Sequence, residues 1–321
     1  MAIDFQHSSI RLILEEADSR GITIDTFDDI RPGFAKLVLG EHEEYIFQSL
    51  SDLVGRVTGR VLADHKALTT HILRKAGFPV PADIVASSLE EAKAFLASYN
   101  RVVIKPLDGH GGMGITTNIT TNEELERAFA FAMEHTNVGE TTLVCQEHVE
   151  GRDFRVLVVG YEHIYIYERI PAFVTGDGTH TIEELISIRN KEAPAEYMVT
   201  IDSRMDAVLK SQNATLSTIP EKGADIRVAG VANLHAGGVA KNLDVTLPEK
   251  FIATFQEIAR FFHTPVLGID CLSEDITTSI GNIIEVNACP DVYKHHFPDE
   301  GPSQIVVPKM LDVLFPETAS S

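Results

Sequence analysis

The feature that most constrains this chain is a glycine cluster, Gly109-His-Gly111-Gly112-Met-Gly114, set between two β-branched runs. A loop of this spacing that opens a helix would seat a pyrophosphate at the helix N-terminus of a doubly wound sheet. Here it runs into Ile115-Thr-Thr-Asn-Ile-Thr120, a pattern that predicts a strand. The cluster is therefore read as the tip of a β-hairpin lying over phosphates, its bare N–H groups able to cradle an anion. Lys105 leaves the buried strand Val102-Val-Ile104 just ahead of the loop, placed to touch a phosphate. His110, at the loop tip, is read as solvated and carries no role.

A second constraint lies near the C-terminus. In Gly281-Asn-Ile-Ile-Glu285-Val-Asn287 the period of two puts Glu285 and Asn287 on one face of a strand, with Ile284 and Val286 facing the opposite layer. The strand Val266-Leu-Gly-Ile-Asp270 carries its only carboxylate at its end. Unpaired charge inside such apolar runs is costly. Two carboxylates and an amide oxygen converging there form a hard-oxygen site suited to Mg²⁺ shared with phosphate oxygens.

The rest of the pattern is mixed. Helices are expected at Ser9–Ser19, Leu68–Lys75 and Val306–Leu314, and capping boxes are expected to open others after Ser88, Thr121, Thr181 and Thr246. Strands are expected at 35–39, 44–47, 101–107, 115–119, 143–149, 154–159, 164–170, 266–272 and 281–286. Hairpins interleaved with helices argue for an α+β fold rather than a doubly wound sheet. With 47 acidic against 27 basic residues the net charge is −20, which repels duplexes and anionic membranes, so neither nucleic acid nor membrane is expected as a partner. No apolar run approaches the ~20 residues that span a bilayer, and no signal peptide is visible. Cys145, Cys271 and Cys289 lie far apart in apolar stretches and read as buried thiols of a reducing, cytoplasmic compartment.

Taken in order, ADHKALTTHILRKAGFPVP, VVIKPLDGHGGMG, QEHVEGRDFRVLVV, ERIPAFVTGDGTHTIEELI, IRVAGVANLHAGG, GIDCLSEDI and IIEVNACP resemble the ATP-grasp superfamily from about Asp64 to Pro316. The likeness is to the ATP-grasp module of cyanophycin synthetases and of fused bacterial glutathione synthetases. It implies two α+β subdomains clasping ATP: a short N-terminal α/β unit at 1–63, a small lid at 64–145, and a C-terminal subdomain at 146–321 with the metal and substrate site. It also implies residue roles. Lys66 and Lys105 would hold ATP phosphates with Gly109, Gly111, Gly112 and Gly114. Gln146, Glu147, His148 and Val149 would form the hinge that reads adenine, and Asp153 would bind the ribose hydroxyls. Arg155 and Arg227 would contact the γ-phosphate and acyl phosphate, with Arg169 a weaker candidate of the same kind. Both Arg155 and Arg227 stand in apolar strand-like runs and are expected to point into a cleft. Asp270, Glu285 and Asn287 would ligate two Mg²⁺, with Mn²⁺ able to substitute, and Asn233 with Gly237-Gly238 would close over the acceptor.

The chain departs from that family at two places. Asn233-Leu-His235-Ala236-Gly237-Gly238 stands where the family reads NLSTGG, and after Asn287 the chain has Asp291 for a glycine and Tyr293 for a basic residue. Neither a Mur-ligase-like domain nor a glutamate–cysteine ligase half flanks the module in these 321 residues, so a stand-alone enzyme is expected. The implied activity is ATP- and Mg-dependent carboxylate–amine ligation through an acyl phosphate, on an amino acid or small γ-glutamyl-like peptide, by a homo-dimer or tetramer. A small-molecule kinase and a nucleotide-binding regulatory module without turnover are the alternatives.

Overall fold

The computed structural model describes residues 8–27, 34–47, 50–51, 65–107, 114–136 and 142–319. The expected α+β mixture is present. Helix α1 (Ser8–Ser19) leads into the antiparallel strands β1 (Thr23–Thr26), β2 (Phe34–Leu39), β3 (His42–Phe47) and β4 (Leu50–Ser51). Next come α2 (Lys66–Lys75), β5 (Asp83–Ala86), α3 (Leu89–Tyr99), β6 (Val102–Pro106), β7 (Thr116–Ile119), α4 (Asn122–Met133) and β8 (Leu143–Glu147), with a sheet in the order β5-β8-β6-β7. Strands β9 (Arg152–Val159) and β10 (His163–Ile170) begin a larger sheet. A lobe follows, made of β11 (Phe173–Thr175), α5 (Ile182–Asn190), α6 (Ser203–Lys210) and β12 (Asp225–Arg227). The chain then returns through β13 (Val239–Asn242), α7 (Glu249–Phe262), β14 (Val266–Ser273), β15 (Asn282–Asn287), α8 (Tyr293–His296) and α9 (Val307–Leu314), giving a five-stranded sheet β13-β10-β9-β14-β15. None of the described helices is long and apolar enough to cross a membrane.

The larger sheet positions the site, and its two faces differ. On one, Phe154, Val156, Val158, Ile166, Leu267, Ile269 and Cys271 pack against Phe251, Phe255, Ile258 and Phe262 of α7. That face takes an apolar layer because alternate residues along most of β9, β10 and β14 are apolar, until Arg152 pairs with Glu168 at one end. The other face is divided along the strands. Leu157, Val159 and Val266 are covered by Ile10, Ile13 and Leu14 of α1 and by Met310 and Leu311 of α9. Further along the same strands, Asp153, Arg155, Arg169 and Asp270 line the upper half. The leading unit thus shares one core with the end of the chain. The smaller sheet has a separate core, built from Phe95, Leu96, Val102, Ile104, Ile119, Leu125 and Leu143.

The capping boxes at Thr121 and Thr181 are formed in both directions, and Ser88 accepts from the Glu91 N–H. The box expected at Thr246 is not. Helix α7 is preceded by Pro248, which makes no side-chain cap, and Leu247 is drawn into the core against Phe251. Proline's fixed φ sets that boundary two residues later than the threonine. Of the three thiols, Cys145 and Cys271 are buried as expected, and burial pushes Cys145 up to about 12. Cys289 is only half-buried.

Candidate active site

Lys105 sits on β6, 6% exposed, and its Nζ donates to Gln146 Oε1 at 3.1 Å. Burial pushes Lys105 down to about 8, Glu285 pulls it upward, and Lys66 pushes it down again. Those mutual influences put Lys105 and Lys66 of the smaller-sheet side in one charged neighbourhood with Glu285 of the larger sheet. A lysine ammonium has no acceptor, so the amide oxygen of Gln146 must face it. Gln146 Nε2 is then turned away, buried and without a hydrogen-bond partner. A buried donor left unpaired costs about 1–3 kcal/mol, which an acceptor on a bound nucleotide would recover. Asp83, paired with Gln146 across β5 and β8, adds a carboxylate that sequence reading missed. In sequence it is an ordinary strand-opening residue; the register sets it opposite Gln146, the partner of Lys105, and its carboxylate is held by Arg74 Nη2 at 2.5 Å.

Gly109, Gly111 and Gly112 lie outside the described residues. Gly114 is described, with φ +71°, and a Cβ there would come 2.7 Å from Pro106 Cγ and 2.9 Å from His135 Cβ. Strand β7 pairs antiparallel with β6, so the hairpin reading of this segment holds and the helix reading is excluded. In the hinge, the N–H of Glu147 donates to Ala82 O and that of His148 to Arg101 O.

The polar half-face carries a compact charge network. Register pairs Asp270 with Arg155 across β14 and β9, and Arg169 with Asp153 across β10 and β9. Arg155 Nε and Nη2 engage both oxygens of Asp270, and Arg169 Nη2 reaches Asp270 Oδ2 at 2.9 Å and Asp153 Oδ1 at 2.6 Å. Burial alone would raise Asp270, but Arg155 and then Arg169 hold it below the usual carboxylate range. Asp153 goes the other way, raised to about 6 by burial despite Arg169, with Asp270's charge adding to the rise. A Cβ at Gly268, beside this network, would come 3.0 Å from Pro290 Cβ, so the proline is the neighbour that would have to give.

Three expectations are corrected here. Asp270 is not at a strand end, since β14 runs on to Ser273, and its carboxylate is already paired rather than open. Ile284 does not face the core layer. A bulge between Asp270 and Cys271 lets Asp270 oppose Glu285 while Cys271 opposes Ile283, so Ile283 and Val286 are the buried pair. Such a bulge re-aims side chains, and it leaves Asp270 and Glu285 as direct neighbours with Asn287 two pairs along on the same face, opposite Gly268. Arg227 does not enter a cleft. Ile226 packs into the lobe's own core, so by alternation Arg227 at the end of the three-residue β12 is exposed. Arg169, the weaker candidate, turns out to be the residue joining Asp153 to Asp270.

Asn233 caps a 3-10 turn, Leu234–Ala236, through its side chain and the His235 N–H at 3.0 Å. Gly237 follows at φ +82°, and its carbonyl accepts from Arg189 Nη2. A Cβ at Gly237 would run into Val199 and lie 2.8 Å from Arg189 Nη1. The turn is therefore clamped against the lobe.

Comparison with known proteins fits this geometry. Residues 72–178 match the family model described as prokaryotic glutathione synthetase, ATP-grasp domain. A crystal structure of a bifunctional glutathione synthetase from Pasteurella multocida superimposes with a TM-score of 0.68 at 25% identity, covering 96% of this chain and 44% of that one. The fold is ATP-grasp.

Among curated proteins, a cyanophycin synthetase of Crocosphaera subtropica is 30% identical over 326 residues, covering 98% of this chain and 37% of that protein. The glutathione biosynthesis bifunctional protein GshAB of Pasteurella multocida is 27% identical over 336 residues, covering 98% of this chain and 44% of its own length. The chain thus spans less than half the length of these curated relatives. The residues present fit the groups this fold implies. Gln146 and Lys105 offer buried donors to a nucleotide. Asp270, Glu285 and Asn287 share a sheet face as hard oxygen donors; with Asp270 held by Arg155 and Arg169, Glu285 and Asn287 would be the ones to hold a Mg²⁺ there, and Asp270 would join by giving up an arginine contact.

Proposed function

We propose that this ATP-grasp chain is an ATP- and Mg-dependent carboxylate–amine ligase that forms an amide bond through an acyl phosphate. The observation that carries the reading is the shared neighbourhood of Lys66, Lys105 and Glu285, which brings the phosphate-side cations against the carboxylate-lined sheet. Cyanophycin synthetase and bifunctional glutathione synthetase as relatives support an amino acid or small peptide as substrate.

In this reading Lys66 and Lys105 bind the triphosphate, and the hairpin ending at Gly114 covers it. Asp270, Glu285 and Asn287 hold Mg²⁺, which when bound neutralises charge on phosphate oxygens. Arg155, fixed by Asp270 and supported by Arg169, presents a planar fork to the phosphoryl group, a geometry a lysine could not supply. The substrate carboxylate takes the γ-phosphoryl group, ADP leaves, and the amine then displaces phosphate. Closure over the acyl phosphate excludes the water that would hydrolyse it. Asp153 meets the ribose, and residues 233–238 close over the amine. A homo-dimer or tetramer in the cytoplasm completes the proposal, with Mn²⁺ able to replace Mg²⁺.

The test is a phosphate-release screen with ATP, Mg²⁺ and pairwise amino acids and γ-glutamyl peptides. A ligase releases phosphate only when carboxylate and amine are both present, and a condensed mass accompanies ADP. A stable phosphorylated product formed without an amine would instead mark a kinase. Glu285→Ala is expected to lose nearly all ADP release, and substantial ADP from that variant would refute the metal assignment.

A further inference from the structure

Asp291 stands where the family pattern has glycine, and the reaction scheme above gives it no role. In the structure it is a junction. Its Oδ1 accepts from Ser9 Oγ of α1 at 2.7 Å and from the Tyr293 N–H at 2.9 Å, while its Oδ2 accepts from Tyr197 OH at 2.6 Å. Tyr197 is 3% exposed, and burial followed by Asp291's charge pushes its phenol far above the ordinary value, so it stays protonated and is the donor.

Two rings stack on that of Tyr197. Tyr293 stacks on it at 5.6 Å and 16°, and His235 stacks on it at 5.5 Å and 16°. Lys294 Nζ lies 4.7 Å from the ring centroid and is itself fixed by both oxygens of Asp299. One of those two oxygens, Asp299 Oδ2, also accepts from the Ala240 N–H at 2.7 Å and so reaches the returning chain. The stack therefore ties the segment after β15 to the turn before β13.

His235 is exposed, and its Nδ1 lies 3.1 Å from the Glu196 carbonyl oxygen. A carbonyl oxygen can only accept, so Nδ1 carries the proton, and in the neutral ring Nε2 is left as an acceptor. Glu196 is the immediate neighbour of Tyr197, so the same short segment fixes both the plane and the tautomer of the imidazole. The family's Ser-Thr pair at this point could not stack in that way.

We infer that Tyr197, anchored by Asp291, is a positioning residue that holds residues 233–238, and the bare Nε2 of His235 with them, for the amine substrate. This rests on the reading that the 233–238 turn closes over the amine. A primary ammonium is a triple donor, and an imidazole nitrogen without its proton is a fitting partner.

The experiment compares the full chain with Tyr197→Phe, which keeps the ring and loses the hydroxyl, with Asp291→Asn, and with the double variant. Each of the twenty amino acids is tried as the amine against each amino acid and γ-glutamyl peptide as the carboxylate in the phosphate-release assay, and the pair that supports the fastest release is carried forward. The expected result is an amine KM raised about tenfold in each single variant, with the ATP KM unchanged. The double variant should be no worse than either single one, since both remove the same bond. Hydrogen exchange supplies an activity-free readout: amides of residues 233–238 should exchange faster in Tyr197→Phe, with Val266–Ser273 unchanged. An unchanged amine KM in an active protein, or equal rises in amine and ATP KM, overturns the inference and leaves the ligase reading standing. A wild-type protein that releases no phosphate in response to any amine overturns the ligase reading, and the inference with it.

Discussion

The side of this molecule that we propose meets the nucleotide and the side that we propose meets the amine are built on different physics. On the nucleotide side, charges are fixed by sheet register: Asp270 faces Arg155, Arg169 faces Asp153, and Glu285 lies beside Asp270. On the amine side, no register is involved. Stacked rings, one phenol-to-carboxylate bond and a clamped glycine hold a short turn. Buried ion pairs are unforgiving when one partner is removed, whereas ring stacks and turns lose their strength in smaller steps. The difference teaches where mutations should be lethal and where they should retune.

The largest expected effect lies on the nucleotide side. Asp270→Ala leaves Arg155 and Arg169 buried against each other without their shared carboxylate, and should cost about 3–5 kcal/mol in urea unfolding. A cost below about 1 kcal/mol would mean that the network is solvated and the contrast drawn above is false.

His295 probes the layer beneath both sides. It is fully buried against Tyr167, with Nδ1 on Gln304 Oε1 at 2.8 Å, and burial holds it down to about 4, well below the ordinary 6.5. Between those two values the unfolded chain binds a proton that the folded chain refuses. Its contribution to stability therefore rises with pH in this window and falls on acidification, by about 3 kcal/mol across it. Asp153, raised to about 6, contributes with the opposite sign in the same window, so the test is the difference in slope between wild type and His295→Gln, read from urea midpoints at pH 7, 6, 5 and 4: the variant should lose the His295 part of the dependence.

Gly237→Ala tests the clamp on the amine side. With φ at +82° and Arg189 Nη1 in the way, it should cost about 1–3 kcal/mol, read as a drop in melting temperature. An unchanged melting temperature would show that the turn can open freely and that the lobe does not grip it.

The smallest effects sharpen the contrast by lying outside both sides. Thr121→Ala removes a formed capping box and should cost about 1 kcal/mol, whereas Thr246→Ala, which caps nothing, should stay within about 0.5 kcal/mol. The two helices can be compared by the same thermal melts.

Much of the nucleotide side could be read before any coordinates existed. Lys105, Glu285 and Asp270 stand out because a charge inside an apolar run needs a reason, and the hairpin around Gly114 follows from β-branched residues after the loop. Arg227 misled for the same cause: an apolar neighbourhood in sequence does not say which side of a three-residue strand faces solvent. Ile284 misled because a bulge breaks the period of two without leaving a mark in composition. Asp83 and Tyr197 are silent in the sequence, since an aspartate opening a strand and a tyrosine in a loop are common everywhere, and Asp291 shows there only as a departure from the family pattern, its partners unreadable.

What the chain alone determined is local: alternation along strands, caps at Thr121 and Thr181, and the need for φ-permissive residues at Gly114 and Gly237. Each depends on residues within a few positions of one another, where sterics and hydrogen bonding act directly. The tertiary structure alone decided which charges meet. Asp270 and Arg155 are 115 residues apart, and Ser9 and Asp291 are 282 apart. Pairing over such distances is set by sheet register and by which hydrophobic faces bury together, and no local pattern encodes it.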